Sequence, residues 1–214
     1  MLRCSVEEPA GEDFALSQMP ETIAPRLYLD VDGCVCPFGR PDAAWGPTTT
    51  ASVFVDYDDR AATYDVVWAP ALIEALDKLR AEFALELVWL TTWVEVDAVR
   101  RLLVPKLGGL ANGRILPLTP GPRSSGEARG WWKAQRLLED QAAQAGPFIW
   151  TDDSEVELHG WKVLGATAGT PSLMIPPHPM VGLRPDDIHA MRAWLNALKS
   201  GPEASTISGL KRDR

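Results

Sequence analysis

Short apolar runs alternate with amphipathic stretches between residues 25 and 200, and this alternation narrows the choice of fold more than any other feature. Residues 27–31 form an apolar run that predicts a buried strand, and residues 71–81, after Pro70, carry apolar side chains at helical spacing. Further strands are predicted at residues 85–90, 114–118, 148–151, 163–164 and 172–175, and further helices at residues 95–107, 127–145 and 185–199. Strands that alternate with helices indicate an α/β fold with a mostly parallel sheet covered on both faces.

One stretch does not fit this alternation. Residues 51–57 and 63–68 predict two strands around a turn at residues 58–62, so we expect a small β-hairpin flap within residues 33–69, after the first strand. The folded domain is expected to span residues 25–200. Residues 1–24 are polar and acidic, and they are predicted to be a flexible tail. Residues 201–214 are predicted to be a second flexible tail.

The charge balance excludes some classes of partner. The chain has 29 acidic residues against 21 lysines and arginines, a net charge of −8. This sign disfavours non-specific binding to nucleic acids and attraction to anionic membranes. Residues 1–9 contain no apolar run of the signal-peptide type, and Cys4, Cys34 and Cys36 form no C-x-x-C pair. We therefore expect a cytoplasmic protein with reduced thiols.

Polar residues follow three of the predicted strands at the point where each strand ends. They are Asp30 and Asp32, Thr91 and Thr92, and Asp152 and Asp153. Because ligands of open α/β sheets bind outside the carboxyl ends of the strands, we expect these side chains to gather at one site. Carboxylates in such a group repel one another without a cation, and oxygen ligands favour Mg²⁺. Lys133, in the first turns of the helix predicted at residues 127–145, completes an environment suited to a phosphoryl group.

The spacing of Asp30 and Asp32 allows a division of labour between two carboxyl groups. One can attack phosphorus while the other protonates the leaving oxygen, provided that their pKa values differ. A receiver domain also uses Asp, Thr and Lys at strand ends, but its adjacent acidic pair belongs to the first strand. Here the adjacent pair, Asp152 and Asp153, comes last along the chain.

These residues resemble the motifs of the haloacid dehalogenase (HAD) superfamily over residues 26–199. Residues 30–33 (DVDG) are similar to its first motif, residues 90–93 (LTTW) to its second, Lys133 to its third, and residues 149–153 (IWTDD) to its fourth. The resemblance implies a Rossmann-like, three-layer α/β/α fold and Mg²⁺-dependent phosphatase chemistry. Asp32 argues against a dehalogenase proper, because dehalogenation needs no acid at that position.

The resemblance implies a role for each matched residue. Asp30 would be the nucleophile that forms an aspartyl-phosphate, and Asp32 would be the general acid and then the general base. The phosphoryl group would be bound by Thr91, Thr92 and Lys133, with Arg129 as the nearest competitor of Lys133. The metal would be held by Asp30, Asp32 (through its backbone carbonyl), Asp152 and Asp153.

Neither insertion expected in this superfamily is long enough to form a cap domain. The chain therefore resembles a capless member whose site is covered by the hairpin flap or by another subunit, and the oligomeric state stays open. The expected substrate is a phosphorylated small molecule, although the residues do not distinguish a nucleotide, a sugar phosphate or a phosphoprotein. The alternative interpretation is a non-catalytic HAD-like binding or regulatory module.

Overall fold

The fold is described from a computed structural model, which covers residues 23–57, 60–118 and 132–200. The main sheet contains β1 (Arg26–Leu29), β4 (Glu86–Trp89), β5 (Arg114–Ile115), β6 (Phe148–Thr151) and β7 (Ser172–Ile175). Its five strands are parallel throughout and lie in the order β5-β4-β1-β6-β7. The predicted α/β fold with a mostly parallel sheet is confirmed.

The predicted hairpin flap is also confirmed. Strands β2 (Thr49–Asp56) and β3 (Ala61–Trp68) pair antiparallel and form a separate two-stranded sheet. Val53 and Val55 are buried, whereas Phe54 between them is 60% exposed. One face of the flap therefore packs against the domain, and the other faces solvent.

The helices cover both faces of the main sheet. They are α1 (Pro70–Phe83), α2 (Val104–Leu107), α3 (Trp132–Ala143), α4 (Glu155–Ala166) and α5 (Pro185–Lys199). Successive side chains of β1 point to opposite faces, so Leu27 and Leu29 join the core formed with α1, α5 and the flap, whereas Tyr28 joins the core formed with α3 and α4. The three layers match the predicted α/β/α arrangement.

The strand predicted at residues 163–164 is wrong, because these residues lie within α4. Val156, Gly160 and Val163 are buried at successive helical spacings of four and three residues. Two adjacent apolar residues do not distinguish a strand from one turn of such a helix. The helical period across the whole segment was the stronger signal.

The helix predicted at residues 95–107 is interrupted. Residues Thr92–Asp97 form a 3-10 segment in which Val96 and Asp97 adopt positive φ angles of 48° and 57°. A π-helical turn, Val99–Leu103, then leads into α2. This turn precedes Pro105, which has no N–H to donate to a regular helix. The helix nevertheless continues past Pro105 and ends at Leu107, the predicted last residue, and a left-handed Gly108 follows it.

A polar network ties together the amino ends of three strands. Arg114 donates to both carboxylate oxygens of Asp140 at 2.7 and 2.9 Å, and the Tyr28 hydroxyl donates to the same carboxylate at 2.7 Å. Glu86 accepts from Arg114 at 2.6 Å and from the buried Arg26 at 3.2 Å. Because Asp140 belongs to α3, the network anchors that helix at the end of the sheet away from the predicted site.

Parts of the earlier expectations fall outside the described residues. Residues 1–22 and 201–214 of the predicted tails, the turn residues Asp58 and Asp59, and residues 127–131 of the predicted helix with Arg129 belong to these parts. Among the described residues, no helix is both long enough and apolar enough to cross a membrane.

Candidate active site

The carboxyl ends of β4, β1 and β6 bring the predicted site residues to one edge of the sheet. β1 lies between the other two strands, and Leu29 pairs with Trp89 on one side and with Thr151 on the other. Asp30 directly follows Leu29, and Asp152 directly follows Thr151. The two aspartates therefore leave adjacent parallel strands side by side.

Three carboxylates meet at this edge. One side-chain oxygen from each of Asp30, Asp152 and Asp153 lies within 4.8 Å of the other two. Asp30 and Asp152 are buried, and Asp153 is partly buried. Negative charges held this close, with little water around them, repel one another strongly. A nearby positive charge would reduce this repulsion and stabilise the ionised carboxylates.

Lys133 supplies positive charge from the start of α3. Its Nζ donates to Oδ2 of Asp30 at 2.6 Å and to Oδ2 of Asp152 at 2.7 Å, and the residue is only 7% exposed. Burial by itself lowers the pKa of Lys133, but the two carboxylates outweigh burial and raise this pKa above its ordinary value. The ammonium group therefore stays charged between the two aspartates.

Both carboxylate oxygens of Asp30 have fixed partners. Oδ1 accepts a hydrogen bond from the backbone N–H of Val31 at 2.7 Å, while Oδ2 accepts the bond from Lys133. Burial raises the pKa of Asp30 to about 7, and Asp152 adds to this rise, whereas Lys133 opposes it. The result is an oriented carboxylate whose ionisation depends on nearby positive charge.

Asp152 is held by the beginning of α4. Its Oδ1 accepts hydrogen bonds from the backbone N–H of Ser154 at 3.0 Å and of Glu155 at 2.6 Å. These N–H groups have no partner within the helix, so the carboxylate caps the helix. The Asp152 side chain is fully buried, and its other oxygen, Oδ2, is left to accept the hydrogen bond from Lys133.

Gly33 leaves the room that Asp153 occupies. A Cβ at position 33 would lie 2.4 Å from the carboxylate carbon of Asp153, and Gly33 has a φ of +69°. Only glycine satisfies both the left-handed backbone and this close approach. Gly33, the glycine of the DVDG segment, therefore makes room for the carboxylate of Asp153, which lies more than 100 residues away in the chain.

The Asp32 carboxylate stands apart from the three-carboxylate cluster and contacts Trp93. The indole Nε1 of Trp93 donates to both oxygens of Asp32, at 3.1 Å each. Burial raises the pKa of Asp32, while the Trp93 hydrogen bond and the charge of Lys133 oppose the rise. Sequence reasoning did not foresee Trp93 as an Asp32 partner, although its place directly after Thr91 and Thr92 put it at the right edge of the sheet.

The two predicted threonines lie at the same edge in different environments. Thr91 is fully buried, and its Oγ1 accepts a hydrogen bond from the backbone N–H of Trp93 at 3.4 Å. It therefore caps the 3-10 segment that follows, a role compatible with phosphate binding. Thr92 is exposed.

Glu155 is a second residue that sequence reasoning missed. It is 4% exposed, and its Oε2 accepts a hydrogen bond from the backbone N–H of Ala134 at 3.0 Å. Burial raises the pKa of Glu155 to about 8. The contact joins the beginning of α4 to the beginning of α3, next to Lys133. The sequence signal that could have identified Glu155 is its place as an acidic residue two positions after the Asp152–Asp153 pair.

The two described cysteines, Cys34 and Cys36, are free thiols, as predicted, and both are buried. Burial raises the pKa of both thiols above the ordinary value, and nearby carboxylates add to the rise. Such thiols behave as small apolar side chains, and here they are buried in the loop that follows Asp32.

A comparison with known families agrees with this geometry. A family model described as "HAD domain in Swiss Army Knife RNA repair proteins" matches residues 26–188, from β1 into α5. The chain belongs to this HAD family. The predicted relationship to the HAD superfamily is therefore confirmed. Searches of curated proteins and of solved structures gave no significant match.

Family membership suggests a hydrolase in general, and the donor set of the site fits a divalent cation. HAD proteins typically use such an ion, and three carboxylate oxygens within 4.8 Å of one another are ligands that hard cations prefer. Gly33 preserves the position of Asp153, one of the three donors. Asp30, Asp152 and Asp153 are therefore the side chains suited to hold the metal.

Proposed function

We propose that the protein is a Mg²⁺-dependent phosphomonoester hydrolase that works through an aspartyl-phosphate on Asp30. The observation that carries the proposal is the position of the Lys133 ammonium, 2.6 Å from Asp30 and 2.7 Å from Asp152, beside Asp153. Positive charge at a buried carboxylate stabilises its ionised, nucleophilic form and attracts a phosphoryl group.

The first step would transfer the phosphoryl group to the protein. A carboxylate oxygen of Asp30 forms a bond to phosphorus as the bond between phosphorus and the leaving oxygen breaks. Asp32 donates its proton to that oxygen, which leaves as an alcohol. Burial raises the pKa of Asp32, which favours the protonated form that this step requires.

The second step would release phosphate. Asp32, now ionised, takes a proton from water as the water oxygen attacks phosphorus. The bond from phosphorus to Asp30 breaks, and the carboxylate is restored. Lys133 faces the same carboxylate and stabilises the charge that returns to it.

The metal would be held by Asp30, Asp152 and Asp153, with the backbone carbonyl of Asp32 as a further ligand. When bound, Mg²⁺ supplies positive charge that offsets the phosphoryl oxygens and the clustered carboxylates. The protein itself orients Asp30 through Val31 and Lys133, and orients Asp152 through the N-terminus of α4.

Two substrate classes are worth separate assays. The first is a phosphorylated small molecule, because the described site residues offer groups for a phosphoryl group and a metal ion. The description of the family names RNA repair proteins, and this supports phosphorylated RNA ends as the second class. The net charge of −8 disfavours non-specific binding along an RNA chain, so recognition would be confined to the terminus.

The test is hydrolysis of a phosphate panel with and without Mg²⁺. The panel includes an aryl phosphate, nucleotides, sugar phosphates, and oligoribonucleotides with a 3′- or 5′-terminal phosphate. We expect Mg²⁺-dependent release of phosphate by the wild-type protein and loss of at least about 10³-fold in Asp30→Asn. Asp186→Asn, an aspartate 98% exposed on α5, is the matched control.

A second variant separates the two steps. The Asp32→Asn protein should become phosphorylated slowly on Asp30 and should turn over poorly. Its phosphorylated form should therefore accumulate and be detected by intact-protein mass spectrometry. If the whole panel yields no phosphate, or if Asp30→Asn keeps wild-type activity, the proposed hydrolase is wrong. Binding of phosphate compounds without turnover would instead support the non-catalytic HAD-like module.

A further inference from the structure

Trp93 lies between the general acid proposed above and the flap. Its indole N–H donates to both oxygens of Asp32 at 3.1 Å, and its side chain is 6% exposed. On another side, its ring packs against the ring of Tyr64, with centroids 5.2 Å apart and planes tilted by 57°. One buried side chain therefore touches both the Asp32 carboxylate and strand β3.

The flap contacts this part of the chain at a second point. Arg60, next to the start of β3, forms an ion pair with Glu95 at 3.9 Å. Tyr57 and Tyr64 share a hydrogen bond between their hydroxyl groups at 3.0 Å, which links Tyr64 to the end of β2. The flap thus reaches the segment Thr92–Asp97 through both a ring contact and a charge contact.

The segment that carries Trp93 has an unusual backbone. Val96 and Asp97 have φ angles of 48° and 57°, and two successive left-handed residues without a glycine are rare, especially with a β-branched side chain. Such strain persists only where the surrounding contacts hold it. Here the flap and the core hold the segment close to the position that lets the indole reach Asp32.

We infer that Trp93 is a positioning residue that holds the Asp32 carboxylate for proton transfer and makes its orientation depend on the flap. The role as an aid to proton transfer rests on the proposed hydrolase function. The contact between Asp32, Trp93 and Tyr64 can be tested without any activity. A purely structural role for Trp93 would require its ring but not its N–H.

Trp93→Phe keeps an aromatic ring and removes the donor. We expect kcat to fall about tenfold, as for the loss of one hydrogen bond that positions a reacting group, while KM stays within about twofold. Trp161→Phe is the matched control, since Trp161 is 67% exposed on α4, outside the site. In the Asp32→Asn background, Trp93→Phe should have little further effect, because its target group is already lost.

The leaving group provides the sharper measurement. In single turnovers, 4-nitrophenolate needs little protonation to leave, whereas an alcohol such as glycerol depends on the acid. Trp93→Phe should therefore slow release of glycerol from glycerol phosphate about tenfold and release of 4-nitrophenolate by less than about threefold. Equal slowing of both substrates, or wild-type rates for both, overturns the positioning role.

The contact itself is followed by NMR of ¹⁵N-labelled indole groups, with Trp93→Phe identifying the Trp93 signal. This signal should shift when Asp32 is replaced by Asn and again when Tyr64 is replaced by Leu, while Trp161→Phe leaves it in place. An unchanged signal in Asp32→Asn, or in Tyr64→Leu, overturns the link from carboxylate to flap. If the wild-type protein hydrolyses nothing on the panel, the proposed function fails, and the NMR result still decides whether this link exists.

Discussion

Replacing Gly33 by alanine tests how closely the loop after β1 and the Asp153 carboxylate fit together. Gly33 has a φ of +69°, a conformation that costs an alanine about 1–2 kcal/mol. In addition, the new Cβ would lie 2.4 Å from the Asp153 carboxylate carbon and 2.8 Å from its Cβ. Atoms this close cannot coexist, so the Asp153 side chain must shift from the position in which its carboxylate lies near those of Asp30 and Asp152.

Gly108→Ala is the matched control for this change. Gly108 has a φ of +74° and a left-handed helical backbone, and no atom lies within 4 Å of the position its Cβ would take, so the variant adds backbone strain without a clash. We expect Gly108→Ala to lower the free energy of unfolding by about 1–2 kcal/mol, and Gly33→Ala to lower it by about 2–4 kcal/mol. Mg²⁺ affinity should fall at least about tenfold in Gly33→Ala alone, because one of its three carboxylates is displaced.

Urea unfolding without metal measures the stability of both variants, and isothermal titration calorimetry measures Mg²⁺ binding. The calorimetric titration is independent of any substrate. The reasoning would be refuted by a Gly33→Ala protein that binds Mg²⁺ as the wild type does. It would also be refuted if the two variants lost equal stability, since the clash with Asp153 would then have no cost.

Three further changes test the site and its support. Lys133→Met should lower kcat/KM by at least about 10²-fold, because the cation at Asp30 is lost; activity within threefold of wild type would contradict this role. Glu155→Gln keeps an acceptor for Ala134 but removes a carboxyl group whose pKa burial raises to about 8. The stability of the wild type should therefore fall as the pH rises from about 4.5 to 8. Over this range, urea unfolding should show the variant gaining up to about 4 kcal/mol of stability relative to the wild type. The wild-type native state keeps a proton that the unfolded state releases in this window, and parallel pH profiles would contradict the shift. Asp140→Asn, at the opposite end of the sheet, should cost about 2 kcal/mol with Mg²⁺ affinity unchanged, and a weakened metal site would show that this anchor reaches the active site.

The main elements of the fold were predictable because each has a local cause. Apolar runs bounded by polar residues specified β1, β4 and β6, and Pro70 marked the beginning of α1. The boundaries were less accurate, since residues 27–31 were predicted for β1 and the strand ends at Leu29. Where a run was only two residues long, as at 163–164, its period was ambiguous, and the prediction failed.

The placement of the carboxylates was predictable from one rule about parallel sheets. Because β4, β1 and β6 are neighbours, residues that follow them must meet at one edge. The rule concerns backbone positions and says nothing of side-chain direction. It could not reveal that Asp32 turns to Trp93, that Glu155 accepts from Ala134, or that Gly33 makes room for Asp153.

By itself, the sequence determined the α/β class, the hairpin insertion and which residues stand at the strand ends, because hydrophobic period and chain order carry that information. The tertiary structure decided how those side chains divide. Three carboxylates gather, and Lys133 donates hydrogen bonds to Asp30 and Asp152. The Asp32 carboxylate instead accepts hydrogen bonds from an indole that packs against the flap. These contacts join residues from strands, helices and loops that are distant along the chain, so their distances and directions exist only after the sheet, α3, α4 and the flap have packed together.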